Sequence, residues 1–225
     1  MATYVLVHGG NMDTETWNRL TIGEPVDTAD GKMGGRIWDG TVARLREHGH
    51  RAFAPTLADE YTATLTGHIG EVRRLITEHT LQNVVLVGHS YGGMITTGVA
   101  AALPERIGRL VYVDAALPDS GQSLFDIIAG AGIRPAAVSG LDPAPPYVEP
   151  LFFDPAVLRP LQKTYIRCTK SDFVQVTAGA REKIAADRTR WTYHELPASH
   201  VPMADMPEEL FRILLEAAGE HESPS

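Results

Sequence analysis

The chain has 225 residues, 44% hydrophobic and 21% charged, and a formal net charge of -8 at pH 7, the composition of one globular domain with a sizeable core. No run of Lys or Arg is dense enough to track phosphates, which excludes a basic footprint for nucleic acid or an anionic bilayer. Cys168 is the single cysteine, which excludes an internal disulfide framework and a thiolate metal site.

The first eight residues lack the basic region of a signal peptide and form too short an apolar run to span a membrane. They read as a strand, and the protein as cytoplasmic. Short apolar runs rich in β-branched residues at 4–7, 51–54, 83–87, 110–113, 164–167 and 191–196 predict strands buried on both faces. Between them, Trp38, Val42 and Leu45 fall at helical spacing before Gly49, and Leu65, Ile69, Val72 and Ile76 form one apolar stripe. Further helices are expected at 94–103 and 173–188, and Pro207-Glu208-Glu209 opens the last, with proline in the first turn and acids at the positive dipole end. The polar tail 220–225 is expected to fray.

This alternation predicts an α/β fold: one domain over residues 1–225, built on a doubly wound, mostly parallel sheet of about six strands. Two insertions break the rhythm. Residues 11–37 hold Gly23, Pro25, Gly31, Gly34 and Gly35 with little periodicity, and 21–36 also fit a flexible surface loop. Residues 117–160 hold eight prolines and read as a small cap with helical pieces at 123–129 and 155–162. Each insertion follows a strand, and ligands of open α/β sheets bind beyond the carboxyl ends of strands.

Chemistry concentrates at Gly88-His89-Ser90-Tyr91-Gly92-Gly93. A Gly-x-Ser-x-Gly that directly follows a strand and precedes a helix is the context of a nucleophile elbow, whose turn leaves no room for side chains two residues either side of the serine. Ser90 is therefore the expected nucleophile, and it needs a base. His200, four residues past the last strand, is that base. His8 and His89 are expected to brace or point away, and His48, His50, His79, His194 and His221 fit turn, helix or strand positions. The acid that fixes the imidazole tautomer is Asp172, after the strand at 164–167, with Asp114, one strand earlier, as the alternative. His8-Gly9-Gly10 closes the first strand, and the amides of Gly10 and Tyr91 are the expected oxyanion donors.

These segments, with Ser199-His200 before Pro207-Glu208-Glu209-Leu210, resemble the branch of α/β-hydrolases that holds plant hydroxynitrile lyases, methyl-ester esterases and small bacterial esterases. The resemblance spans most of the chain but not the insertions, and it implies an acid at the spacing of Asp172. The lyases of that branch place a hydroxyl or amide side chain where this sequence has Gly9, and a lysine where it has Val201; Asn11 is the nearest substitute. The resemblance therefore implies hydrolysis of a small carboxylic ester or related acyl bond through an acyl-enzyme on Ser90, with no metal or cofactor. The alternatives are lyase-like chemistry on the same scaffold, or a ligand receptor that keeps the fold. Trp17, Trp38, Leu117, Phe125, Tyr147, Leu151, Phe152 and Phe153 fit either a pocket for the small-molecule substrate or ordinary packing. Neither the identity of that substrate nor the oligomeric state is legible in the sequence.

Overall fold

The computed structural model describes residues 1–10, 12–21, 24–134, 142–186 and 188–219. Asn11 and the tail at 220–225 lie outside the described residues.

Six strands, β1 (Thr3–Val7), β2 (Arg51–Phe53), β3 (Val84–His89), β4 (Ile107–Val113), β5 (Gln162–Cys168) and β6 (Trp191–Leu196), form one sheet in the order β2-β1-β3-β4-β5-β6. Every pairing is parallel. The expected doubly wound sheet is thus present, and each carboxyl end lies along the same edge. Alternate residues of β1 feed opposite faces: Val5 and Val7 join one apolar cluster, Tyr4 and Leu6 the other.

Helices α1 (Thr14–Leu20), α2 (Asp39–Glu47), α3 (Leu65–Glu78), α4 (Gly92–Ala102), α5 (Leu124–Gly130), α6 (Pro145–Val148), α7 (Pro155–Leu158), α8 (Val174–Ala186), α9 (Pro202–Asp205) and α10 (Pro207–Ala217) cover the two faces. Thr64 caps α3 by accepting from the Gly67 amide at 3.0 Å, and its predicted stripe of Leu65, Ile69, Val72 and Ile76 is buried. The nucleophile helix α4 is buried nearly all round from Gly92 to Ala100, as a helix pressed between sheet and cap must be. On the other face, α10 buries Leu210, Phe211, Ile213 and Leu214, and the Leu214 carbonyl accepts from the Tyr4 hydroxyl.

Both insertions carry more structure than their sequences suggest. In residues 11–37, Asp13 caps α1 by accepting from the Thr16 amide at 2.6 Å, and Met33 N donates to the Met12 carbonyl. A 3-10 turn at Gly34–Trp38 then leads into α2. A seven-residue helix with one buried residue, Trp17, has no period to detect. Trp17, Met33, Ile37 and Trp38 pack with α2 and α10, so the two tryptophans belong to the cluster on the face opposite the cap.

In the cap, Ser123 and Asp126 make a reciprocal capping box for α5. The helix expected over 155–162 stops at Leu158, because Pro160 cannot continue it, and residue 162 already belongs to β5. The short α6 was not expected in so proline-rich a stretch; Pro145 and Pro146 occupy its first turn, where their missing amides cost nothing. Glu149 ties the cap to the start of α3, accepting from the Thr66 amide at 3.2 Å and from its hydroxyl.

The closed packing of α10 has a direct test. Leu214→Ala should cost about 2–5 kcal/mol in urea unfolding, because a fully buried methyl-rich side chain leaves a cavity. Val148→Ala, at a half-exposed position, should cost less than about 1 kcal/mol. Equal costs would contradict the assigned core.

Candidate active site

Ser90 occupies the turn between β3 and α4 with a φ of 55°, a left-handed conformation that a non-glycine residue holds only when its surroundings enforce it. Ser90 N donates to the Val113 carbonyl at 3.2 Å, and the Ser90 carbonyl accepts from Gly93 N and Ala116 N. The end of β4 therefore grips the elbow. A Cβ at Gly88 would stand 2.6 Å from the Gly92 carbonyl oxygen, and one at Gly92 would stand 2.8 Å from that of His8, which is why the turn needs both glycines.

His200 lies on the loop after β6, with Nε2 2.9 Å from Ser90 Oγ. Its Nδ1 is 2.7 Å from Asp114 Oδ2. With Nδ1–H donating to the carboxylate, Nε2 presents its lone pair to the Ser90 hydroxyl. The Ser171 hydroxyl lies 3.3 Å from the same Nδ1, as a weaker neighbour. Asp114 is fully buried at the end of β4, also at positive φ, and its Oδ1 accepts from Cys168 N at 2.9 Å.

This geometry corrects the preferred acid. Asp172 is exposed at the start of the segment leading into α8, while the carboxylate at His200 belongs to Asp114. Both aspartates follow strands, so spacing cannot separate them; what separates them is burial. Asp114 directly ends a wholly buried strand run beside the elbow strand, a place where a carboxylate persists only with partners. An acid at the very end of an apolar run was the available signal.

Among the described residues, neither the Gly10 nor the Tyr91 amide donates a hydrogen bond, and a Cβ at neighbouring Gly9 would fall 3.2 Å from Ser90 Oγ. The loop thus passes close to the serine, with both amides uncommitted among the described residues. His8 braces this loop as expected: Nδ1–H donates to the Gly9 carbonyl at 2.8 Å, and Nε2 accepts from Leu57 N at 3.0 Å.

Two supports were missed. His89 does not merely point away, because its Nε2–H donates to the His200 carbonyl at 2.6 Å and so holds the base's backbone. Tyr91 donates its hydroxyl to His68 Nδ1 at 3.0 Å, and His68 Nε2–H donates to the Ala58 carbonyl. Such contacts join residues far apart in the chain and leave no local pattern. Among the described residues, no three His, Cys, Asp or Glu side chains are grouped to hold a metal ion, and no helix is long and apolar enough to cross a membrane.

A profile of the alpha/beta hydrolase family matches residues 4–160. The carbendazim hydrolyzing esterase of Nocardioides sp. is 38% identical over an alignment of 140 residues that covers 58% of this chain and 49% of that protein, so the chain spans about half the length of that relative. The probable hydrolase R7 of Phoma sp. is 28% identical over 227 residues, covering 81% of this chain and 93% of that one. Among solved structures, an extracellular alpha/beta-hydrolase from a Paenibacillus species has a TM-score of 0.71 at 22% identity over 96% of this chain and 99% of that one, a likeness of fold.

Two of the supporting histidines, His8 and His89, titrate abnormally. Burial depresses the His8 pKa from 6.5 to about 4, with the Gly9 hydrogen bond opposing and His68 adding to the shift. Burial, then the neighbouring His200, holds His89 well below the usual range. Between pH 6.5 and about 4 the unfolded chain binds these protons and the folded chain does not, so stability is complete above that window and falls as pH drops through it. For His8 alone the loss is on the order of 3 kcal/mol. Urea unfolding at pH 7 and pH 4.5 should show the loss, and His8→Gln should reduce the difference; an unchanged pH dependence in the variant would contradict the buried neutral imidazole.

Proposed function

The chain belongs to the alpha/beta hydrolase family, and from that premise we propose that it is a serine hydrolase that cleaves small carboxylic esters through an acyl-enzyme on Ser90. The observation that carries this reading is the unbroken hydrogen-bonded line from Ser90 Oγ through His200 to Asp114.

In the first half-reaction His200 Nε2 takes the Ser90 proton as Oγ attacks the ester carbonyl carbon. The Gly10 and Tyr91 amides receive the negative charge that develops on the carbonyl oxygen. As the carbon–alkoxy bond breaks, the imidazolium returns its proton to the leaving oxygen, freeing the alcohol. In the second half His200 takes a proton from water, hydroxide attacks the acyl carbon, and Ser90 Oγ leaves with the proton returned to it. Asp114 keeps the imidazole in the Nδ1–H tautomer and stabilises its cationic form in both halves.

Cyanohydrin cleavage is disfavoured by the same residues. Gly9 offers no hydroxyl or amide, and a side chain there would meet Ser90 Cβ at 2.7 Å. Val201, where the branch's lyases carry lysine, is buried and apolar, so it supplies no cation for cyanide. A receptor that binds without turnover would not require a general base in contact with the serine hydroxyl.

A panel of short-chain and aryl esters, with carbendazim included because of the relative named for it, tests the reading. Wild type should hydrolyse members of the panel, and Ser90→Ala should lose at least about 10³-fold in kcat. Background rates in both would contradict it. Asp114→Asn should lower kcat by roughly 10²- to 10⁴-fold and Asp172→Asn by less than about threefold; the reverse ranking would move the acid to Asp172.

A further inference from the structure

The short cap helix α6 places Tyr147 against the candidate oxyanion loop. Tyr147 is buried, with 2% of the residue exposed. Its ring meets the Tyr91 ring edge-on at 4.9 Å, and its amide donates to the Ala144 carbonyl. The hydroxyl, however, has no hydrogen-bond partner among the described residues, although every other phenol buried to this degree has one. The oxygen is not one of the fully enclosed polar atoms left without a partner, so it keeps a solvent-accessible edge that an incoming acceptor can reach.

A Cβ built on Gly10 would stand 2.8 Å from this hydroxyl, closer than side chains pack. Gly10 is thus a glycine for a reason beyond the turn: any side chain there would displace this oxygen. Gly9 continues the line, its missing Cβ 3.2 Å from Ser90 Oγ. Phenol, oxyanion loop and nucleophile are therefore successive neighbours.

We propose that the Tyr147 hydroxyl is a third donor to the substrate's carbonyl oxygen, joining the Gly10 and Tyr91 amides as that oxygen becomes negative. The proposal rests on the ester-hydrolase reading and adds a catalytic residue carried by the cap rather than by the core. Burial, with Glu60, Tyr61 and Asp59 nearby, pushes the phenol well above its usual range, so it keeps its proton and is available to donate. The cap is held for this role by Glu149 on Thr66 and by the Tyr61 hydroxyl donating to Asp142 at 2.8 Å. An ester carbonyl bound at this loop supplies the missing acceptor.

Tyr147→Phe removes one oxygen and keeps the ring on Tyr91. On whichever panel ester wild type hydrolyses best, kcat should fall roughly 10- to 100-fold with KM changed less than about threefold, the pattern of a donor that acts in the transition state. The inhibition constant of an alkyl trifluoromethyl ketone, which forms a tetrahedral adduct on the serine, should rise by a similar factor, with Tm within about 2 °C of wild type. A kcat within about twofold of wild type, or a loss confined to KM or matched by a lower Tm, would overturn the proposal and leave Ser90 chemistry standing. A wild type no faster than Ser90→Ala would remove the ester-hydrolase reading, and this one with it.

Discussion

The buried carboxylate of Asp114 beneath His200 is the contact on which the rest of the site depends. A carboxylate with no exposed surface is costly unless both oxygens are engaged. Here Oδ2 faces His200 Nδ1 and Oδ1 takes the Cys168 amide. The first contact selects the imidazole tautomer that leaves Nε2 free for the serine, and the second locks the acid to the end of β5. Around it, Asp114 N donates to the Ile166 carbonyl, Thr169 N to Leu196 and Lys170 N to Ala198. The loop that carries His200 is thereby tied to the strand beside it, and His89 holds its carbonyl from the elbow side.

The parallel sheet makes this convergence possible. With all six strands running the same way, the ends of β3, β4 and β6 bring a serine, an aspartate and a histidine to one edge from positions up to 110 residues apart. Two of the three residues that follow these strands pay a conformational cost, since Ser90 and Asp114 both sit at positive φ. Their backbones are held by the same neighbours: Ser90 N bonds to the end of β4, and Asp114 N bonds to β5. Strain of this kind is maintained by the sheet, and it presents both side chains to His200.

The parts of the fold written in local patterns were legible in advance. Short runs at strand length marked every strand, the stripe from Leu65 to Ile76 marked α3, and Gly88-x-Ser90-x-Gly92 marked the elbow. His200 was legible because a short loop after the last strand leaves few alternatives. Asp114 was not preferred over Asp172, because choosing between two strand-end carboxylates requires knowing which of them the loop after β6 reaches. Helix α1 and the turn at Gly34–Trp38 were hidden because their order comes from Trp17 and Trp38 burying in the cluster shared with α2, α9 and α10, contacts without period. Tyr147 was seen only as one of several aromatic residues, since its significance lies in an empty position on Gly10 more than 130 residues away.

The His200–Asp114 contact can be observed without any substrate. Its bridging proton lies between a ring nitrogen and a fully buried carboxylate 2.7 Å apart, a short charge-assisted hydrogen bond that deshields the proton and slows its exchange. The low-field proton NMR spectrum of wild type should therefore contain a resonance that is lost in Asp114→Asn and His200→Ala but retained in Asp172→Asn. A resonance that survives Asp114→Asn, or disappears with Asp172→Asn, would contradict the account.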